Sequence, residues 1–176
     1  MLGVFALPMV AAWFSYSGWH PHTLKNYGTL LKVTPLTSTT GALLDGQPYT
    51  LVALKHKWVM VYIGSSACDA HCSQQLYYMR QTRTAQGKEE SRIERLWVVT
   101  DAGTPEAALL KVHPGLIVWR ANDAAFVQQF PQEHAAARSI FLVDPIGNLM
   151  LRFPDNTDPK SMLKDLKLLL AASQVG

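Results

Sequence analysis

The sequence predicts an α/β fold in which a mixed central sheet is flanked by helices, with an apolar membrane segment ahead of it. Three observations carry this expectation. Runs rich in β-formers alternate with segments of helical period from residue 58 onward, the order closes on a hairpin and a last helix, and the first charged side chain in the chain is Lys25. At 176 residues the chain suits one domain that buries a core without several disulfides.

Residues 1–19 read as a membrane anchor. A spanning helix needs ~20 apolar residues, so the segment is short at its start, and the true beginning of the anchor is expected to lie upstream of Met1. Trp13, Phe14, Tyr16 and Trp19 cluster where the run ends, as an interfacial belt requires. A signal peptide is the competing reading, with Ala11-Ala12-Trp13 a poor cleavage site and no basic stretch before Leu2. Pro8 in mid-run argues against a buried helix. Residues 20–40, polar and holding Pro35, are expected to link the anchor to a domain spanning 41–176.

Within that domain Asp45-Gly46-Gln47-Pro48 is a turn, and residues 58–63 form an apolar run without alternation, the mark of a central strand covered on both faces. Helical spacing of Leu76, Tyr77 or Tyr78, and Met79 places a helix over 73–86, closed by Gly87. The mixed charges of 88–94 make a solvated connection, and 93–100 a second buried strand. Thr104-Pro105-Glu106 has the composition of a cap followed by Pro at the first helical position, and His113-Pro114-Gly115 ends that helix. A short strand at 116–119, a helix over 123–130 and a strand at 139–143 follow. Asp144-Pro145-Ile146-Gly147 turns the chain into a hairpin with 148–153, and Asp158-Pro159 starts a final helix lined by Met162, Leu163, Leu166 and Leu169 or Leu170. A thioredoxin-like sandwich satisfies this order.

The chemistry concentrates at Cys68 and Cys72, the only two cysteines, four residues apart and directly after the first buried strand. A strand, a short loop and a helix deliver both sulfurs to a helix N-terminus, where unpaired N–H groups and the macrodipole favour thiolate. Asp69 between them opposes that effect by charge repulsion. Thiolates in that position bind soft metal ions. Equally, the pair can cycle between dithiol and disulfide. The net charge of +3 is scattered among acids, with no basic stripe to track phosphates, so nucleic acid is not expected as a partner.

Four pieces together, Asp45-Gly46-Gln47-Pro48-Tyr49-Thr50-Leu51, Lys57-Trp58-Val59-Met60-Val61-Tyr62-Ile63-Gly64, Cys68-x-x-x-Cys72 and Phe141-Leu142-Val143-Asp144-Pro145-x-Gly147, resemble the Sco/SenC family of copper-delivery proteins for cytochrome c oxidase assembly. The similarity runs over residues 41–172. It implies a thioredoxin-like fold behind an N-terminal anchor, facing the periplasm or an equivalent oxidising space, with a cytochrome c oxidase subunit or another assembly factor as partner. It also implies copper held by Cys68, Cys72 and one histidine just ahead of the strand at 139–143. Here the chain departs from the family, with Ala136 where the histidine belongs; the nearest candidate is His134. His71 is the other histidine close to the sulfurs in sequence, and His20, His22, His56 and His113 are worse placed.

Delivery of copper would not be turnover catalysis. The alternatives are a dedicated thiol–disulfide reductase that keeps the oxidase copper-site cysteines reduced, and a membrane-tethered interaction domain with a static disulfide. General disulfide exchange is disfavoured by the three-residue gap between the cysteines and by Arg138 where related oxidoreductases carry proline.

Overall fold

The structure is a computed structural model and describes residues 13, 26–37, 40–131, 138–173 and 175. Among the described residues eight strands form a single sheet: β1 (Thr29–Pro35), β2 (Thr40–Leu43), β3 (Pro48–Thr50), β4 (Trp58–Gly64), β5 (Ile93–Val99), β6 (Leu116–Ala121), β7 (Ile140–Val143) and β8 (Asn148–Phe153). Their spatial order is β1-β8-β7-β4-β5-β6-β2-β3. β4, β5 and β6 are parallel, and every other pairing is antiparallel. The helices are α1 (Ala70–Thr84), α2 (Ala107–Lys111), α3 (Ala125–Gln128) and α4 (Pro159–Ala172).

The apolar run of β4 lies between β5 and β7, which explains why it does not alternate: both of its faces are buried. Met60 and Tyr62 point with Trp97, Val99, Ile140 and Leu142 into a core closed by Leu76 and Met79 of α1 and by Met162, Leu166 and Leu170 of α4. Val59 and Val61 point the other way, toward Leu96, Val98, Trp119, Phe126, Phe130 and Phe141. On that second face Trp119, Phe126, Phe130 and Phe141 form a row of edge-on rings with centroids 5.0, 5.4 and 5.1 Å apart. Burying one such core side chain contributes about 2 kcal/mol, so the apolar strand pattern dominates the stability of the sheet.

The structure corrects several expectations. Residues 29–35 fall within the stretch read as linker, yet they pair with β8 as an edge strand. The reason is that an edge strand needs little burial: only Leu31 of β1 is half-buried, and a register irregularity between Leu30 and Thr34 breaks any alternation. The backbone N–H groups of Tyr27 and Gly28 just ahead of it donate to the buried carboxylate of Asp165 in α4, at 2.9 and 2.8 Å for the shorter contacts. α1 begins at Ala70 rather than 73, because Asp69 caps it. α2 begins at Ala107 after Glu106, leaving Pro105 outside the helix, and the helix expected over 123–130 shortens to α3.

The charged connection becomes a 3-10 segment, Gly87–Arg92, with ion pairs Arg83–Glu90 and Arg92–Glu89. Arg92 also donates to the carbonyls of Leu170, Ser173 and Val175, satisfying the end of α4. The expected anchor, residues 1–19, lies outside the described residues apart from Trp13. No helix among the described residues is long and apolar enough to cross a membrane.

Candidate functional site

β4 ends at Gly64, and five residues later Asp69 starts α1. Strand and helix therefore place Cys68 just before the helix and Cys72 in its first turn. The Asp69 carboxylate accepts the Cys72 backbone N–H at 2.7 Å, an N-cap that satisfies one of the orphan donors of the helix. That bond, joined by the charges of Arg138 and His71, holds Asp69 below its ordinary carboxylate pKa. Asp69 thus remains ionised beside the sulfurs as a structural cap, a role that its position three residues before Cys72 is compatible with.

Cys68 and Cys72 are joined in a disulfide with Cα atoms 5.2 Å apart. Their environments differ. Cys72 is 4% exposed and sits in the core cluster with Met60, Tyr62, Leu76 and Trp97. Burial, with the Asp69 charge second, pushes the Tyr62 phenol up to about 12, so a neutral hydroxyl borders this end of the core. Cys68 is half-buried and faces a pocket lined by Ser66, Ala67, Ser73, Thr104, Glu106 and Leu109. Its sulfur lies 3.7 Å from the Ser73 hydroxyl.

The loop carrying Cys68 is held by a residue from another strand connection. Asp101, two residues past β5, accepts the Ser65 hydroxyl at 2.5 Å, the Ser66 N–H at 3.0 Å and the Gly103 N–H at 2.9 Å. These bonds, that of Ser65 foremost, hold the Asp101 carboxyl well below the usual carboxylate range. Arg120 from β6 closes the arrangement by donating to the carbonyls of Asp101 and Gly103, at 2.7 and 2.6 Å. A side chain at Gly103 would collide with the Ser66 hydroxyl, so the two loops meet without spare room.

Of the residues read from sequence as metal donors, Cys68 and Cys72 come together, and His134 lies outside the described residues. The His71 ring contacts the Arg138 carbonyl through Nε2 at 3.1 Å, tying the start of α1 to the segment entering β7. Among the described residues no group of three or more His, Cys, Asp or Glu is placed to hold a metal ion. What the arrangement offers is a pair of soft sulfur donors at a helix N-terminus, convertible between dithiol and disulfide. Sequence reasoning missed Asp101, Ser65 and Ser73. Asp101 is 36 residues from Ser65, and nothing local in the sequence marks such a contact.

A family profile for the transmembrane-like, thioredoxin-like, C-terminal domain matches residues 58–173, two thirds of the chain. The chain belongs to this thioredoxin-like family. Its matched region starts at β4, so it contains the sulfur pair, the strands on either side of it and α4, and leaves β1 to β3 ahead of it. No curated protein matches the chain in sequence.

Solved structures similar to this thioredoxin-like chain include Sco proteins and a putative protein disulfide isomerase from Bacteroides thetaiotaomicron, the latter with a TM-score of 0.57 at 15% identity, covering 82% of this chain and 92% of that one. Bradyrhizobium japonicum ScoI with copper bound superposes with a TM-score of 0.60 at 19% identity, covering 77% of this chain and 99% of that one. Yeast Sco1 with copper bound gives 0.64 at 17% identity, covering 81% and 96%. BsSco, described as a member of the Sco family of cytochrome c oxidase assembly proteins with a disulfide switch, gives 0.61 at 15% identity, covering 80% and 96%. At these identities the likeness establishes the fold, and the α/β thioredoxin-like architecture expected from the Sco resemblance is the one observed.

Proposed function

We propose that this chain is a Sco-like assembly factor for cytochrome c oxidase, which in its dithiol form carries Cu(I) as cargo between Cys68 and Cys72. One observation carries the reading: the two sulfurs are brought together at the end of β4, with Cα atoms 5.2 Å apart, in a fold shared with Sco proteins solved with copper. Thiolates suit Cu(I), and the N-terminus of α1 favours them. Cys68 borders the pocket and would meet the partner first, while Cys72 lies against the core. The disulfide must first take two electrons and two protons from a protein dithiol before copper binds. His134 is the proposed third ligand. Residues 1–19 would tether the domain to a membrane, facing the periplasm or an equivalent oxidising space, where an oxidase subunit or another assembly factor is met.

A second reading is a dedicated reductase of the acceptor's copper-site cysteines, favoured by closure of the pair as a disulfide and by Ala136 at the family's histidine position. The Cys68 thiolate would attack the acceptor disulfide, forming a mixed disulfide and releasing one acceptor thiolate. Cys72 would then displace the other, leaving Cys68–Cys72 oxidised and the acceptor as a dithiol.

A Cu(I) titration of the reduced protein separates the two. Saturation at one equivalent, lost in Cys68→Ser and Cys72→Ser and weakened in His134→Ala, is the result expected for delivery. Tight binding indifferent to His134→Ala restricts the site to two thiolates. Absence of copper binding, with a measurable dithiol–disulfide potential, overturns delivery in favour of reduction, and absence of both overturns the two readings together.

A further inference from the structure

We propose that the outer face of α4 and the neighbouring edge of β1 form a surface that rests on an anionic lipid bilayer, fixing how the domain is oriented. This is independent of what Cys68 and Cys72 carry.

The first observation is one of charge. Lys160, Lys164 and Lys167 are exposed, and their spacing of four and three residues sets them in one stripe along the helix. The acid within the helix, Asp165, is turned inward, 3% exposed and occupied by the N–H groups of Tyr27 and Gly28. Among the described residues none of the three lysines forms an ion pair with a carboxylate. The stripe is therefore cationic without an internal counter-charge, and exposed Lys32 of β1 adds to it.

The second observation is that large apolar side chains are left in solvent beside that stripe. Tyr27, Leu30 and Val33 are 50%, 60% and 59% exposed along the β1 edge, and Leu168 of α4 is 52% exposed. Helix and edge form one surface, because the Lys164 ammonium lies 5.5 Å from the centroid of the Tyr27 ring. Cationic heads around aromatic and aliphatic groups are the composition of an interfacial segment, where lysines meet anionic headgroups and apolar side chains enter the acyl boundary.

The third observation selects a bilayer over another occupant. The apolar stretch of residues 1–19 and the short run to Lys25 lead directly into Asn26 and Tyr27, so the chain reaches this surface immediately after the segment read as an anchor. A domain tethered at Tyr27 presents to the membrane the face on which Tyr27 lies. Resting there also covers β1, an edge strand whose unpaired backbone groups would otherwise be open to pairing with another chain.

The test uses the full chain in vesicles of phosphatidylcholine with and without phosphatidylglycerol, with vesicle flotation to confirm association and an amine-acetylation footprint read by mass spectrometry. With phosphatidylglycerol, Lys160, Lys164 and Lys167 are expected to react at least about threefold more slowly, while exposed Lys111 of α2 reacts alike in both lipids. High salt removes the protection. The triple variant K160E/K164E/K167E, which keeps the parent's circular dichroism spectrum, abolishes the protection that phosphatidylglycerol gives the parent's exposed Lys32 on the same surface. Equal labelling in both lipids overturns the proposal. So does protection that follows protein density rather than lipid charge, which would assign the surface to a second copy, and so does a chain that floats with neither vesicle.

Discussion

Two charged residues near opposite ends of β5 have contrasting surroundings. Past the carboxyl end, the Asp101 carboxylate receives three hydrogen bonds and its backbone carbonyl a fourth from Arg120; those from Ser65 and Ser66 join the Cys68 loop to Asp101, and the other two brace the Asp101 loop itself. Toward the amino end, Arg95 is 2% exposed and its guanidinium donates only to the Pro114 carbonyl, leaving Nε and Nη1 buried without a partner among the described residues. Burial lowers the Arg95 pKa, and Arg83 and Arg80 repel the same charge. His113 beside it is also buried, with Nδ1 unpartnered among the described residues. The polar groups at the cysteine end find hydrogen-bond partners, whereas those at the other end are carried at a cost in stability.

Removing the clamp should give the largest effect. Asp101→Ala leaves the Ser65 hydroxyl and two loop N–H groups without their acceptor, so thermal unfolding moves to lower temperature and amide exchange at Ser66 and Cys68 accelerates. The folded carboxyl titrates below its ordinary value of 3.8. Its contribution is therefore complete above that value and is lost as pH falls toward the folded pKa, so parent and variant melts converge in strong acid and differ most at neutral pH.

At the other end the sign reverses. Arg95→Met fills the same space without stranded N–H groups and is expected to raise the unfolding free energy by about 1 kcal/mol, read as a Tm increase of a few degrees; a lower Tm breaks the contrast. The smallest effect belongs to His113, held below its ordinary 6.5 by burial and then by Arg80 and Arg95. Below that pH the unfolded chain takes a proton that the folded chain refuses, so this contribution is present above 6.5 and is lost as pH falls toward the folded value. In denaturant melts across that interval His113→Gln should flatten the slope, and Arg95→Met should reduce it.

The same contrast marks what the sequence makes legible. β4 is readable because burial on both faces demands an unbroken apolar run, and the β7–β8 hairpin because Asp144 and Gly147 are turn residues: Asp144 accepts the N–H groups of Ile146 and Asn148, and Gly147 adopts φ of 97°. β1 is not readable, since Thr29–Pro35 is an exposed edge whose pattern is broken by an irregular register. At the site, the cysteine pair and its place after a buried strand are visible from spacing alone. The clamp is not, because Asp101 meets Ser65 only through the parallel alignment of β4 with β5.

The inward-facing carboxylate of Asp165 has a mechanical meaning. By gripping the main chain at Tyr27 and Gly28 it fastens the incoming strand to the last helix, 137 and 138 positions further along. Tension on the leading segment passes into α4, and through its Leu166 and Leu170 into the core that also encloses Cys72, so the sheet edge need not bear the load. A pull on the main chain at Tyr27 would be felt by the body of the domain before it peeled away the first strand.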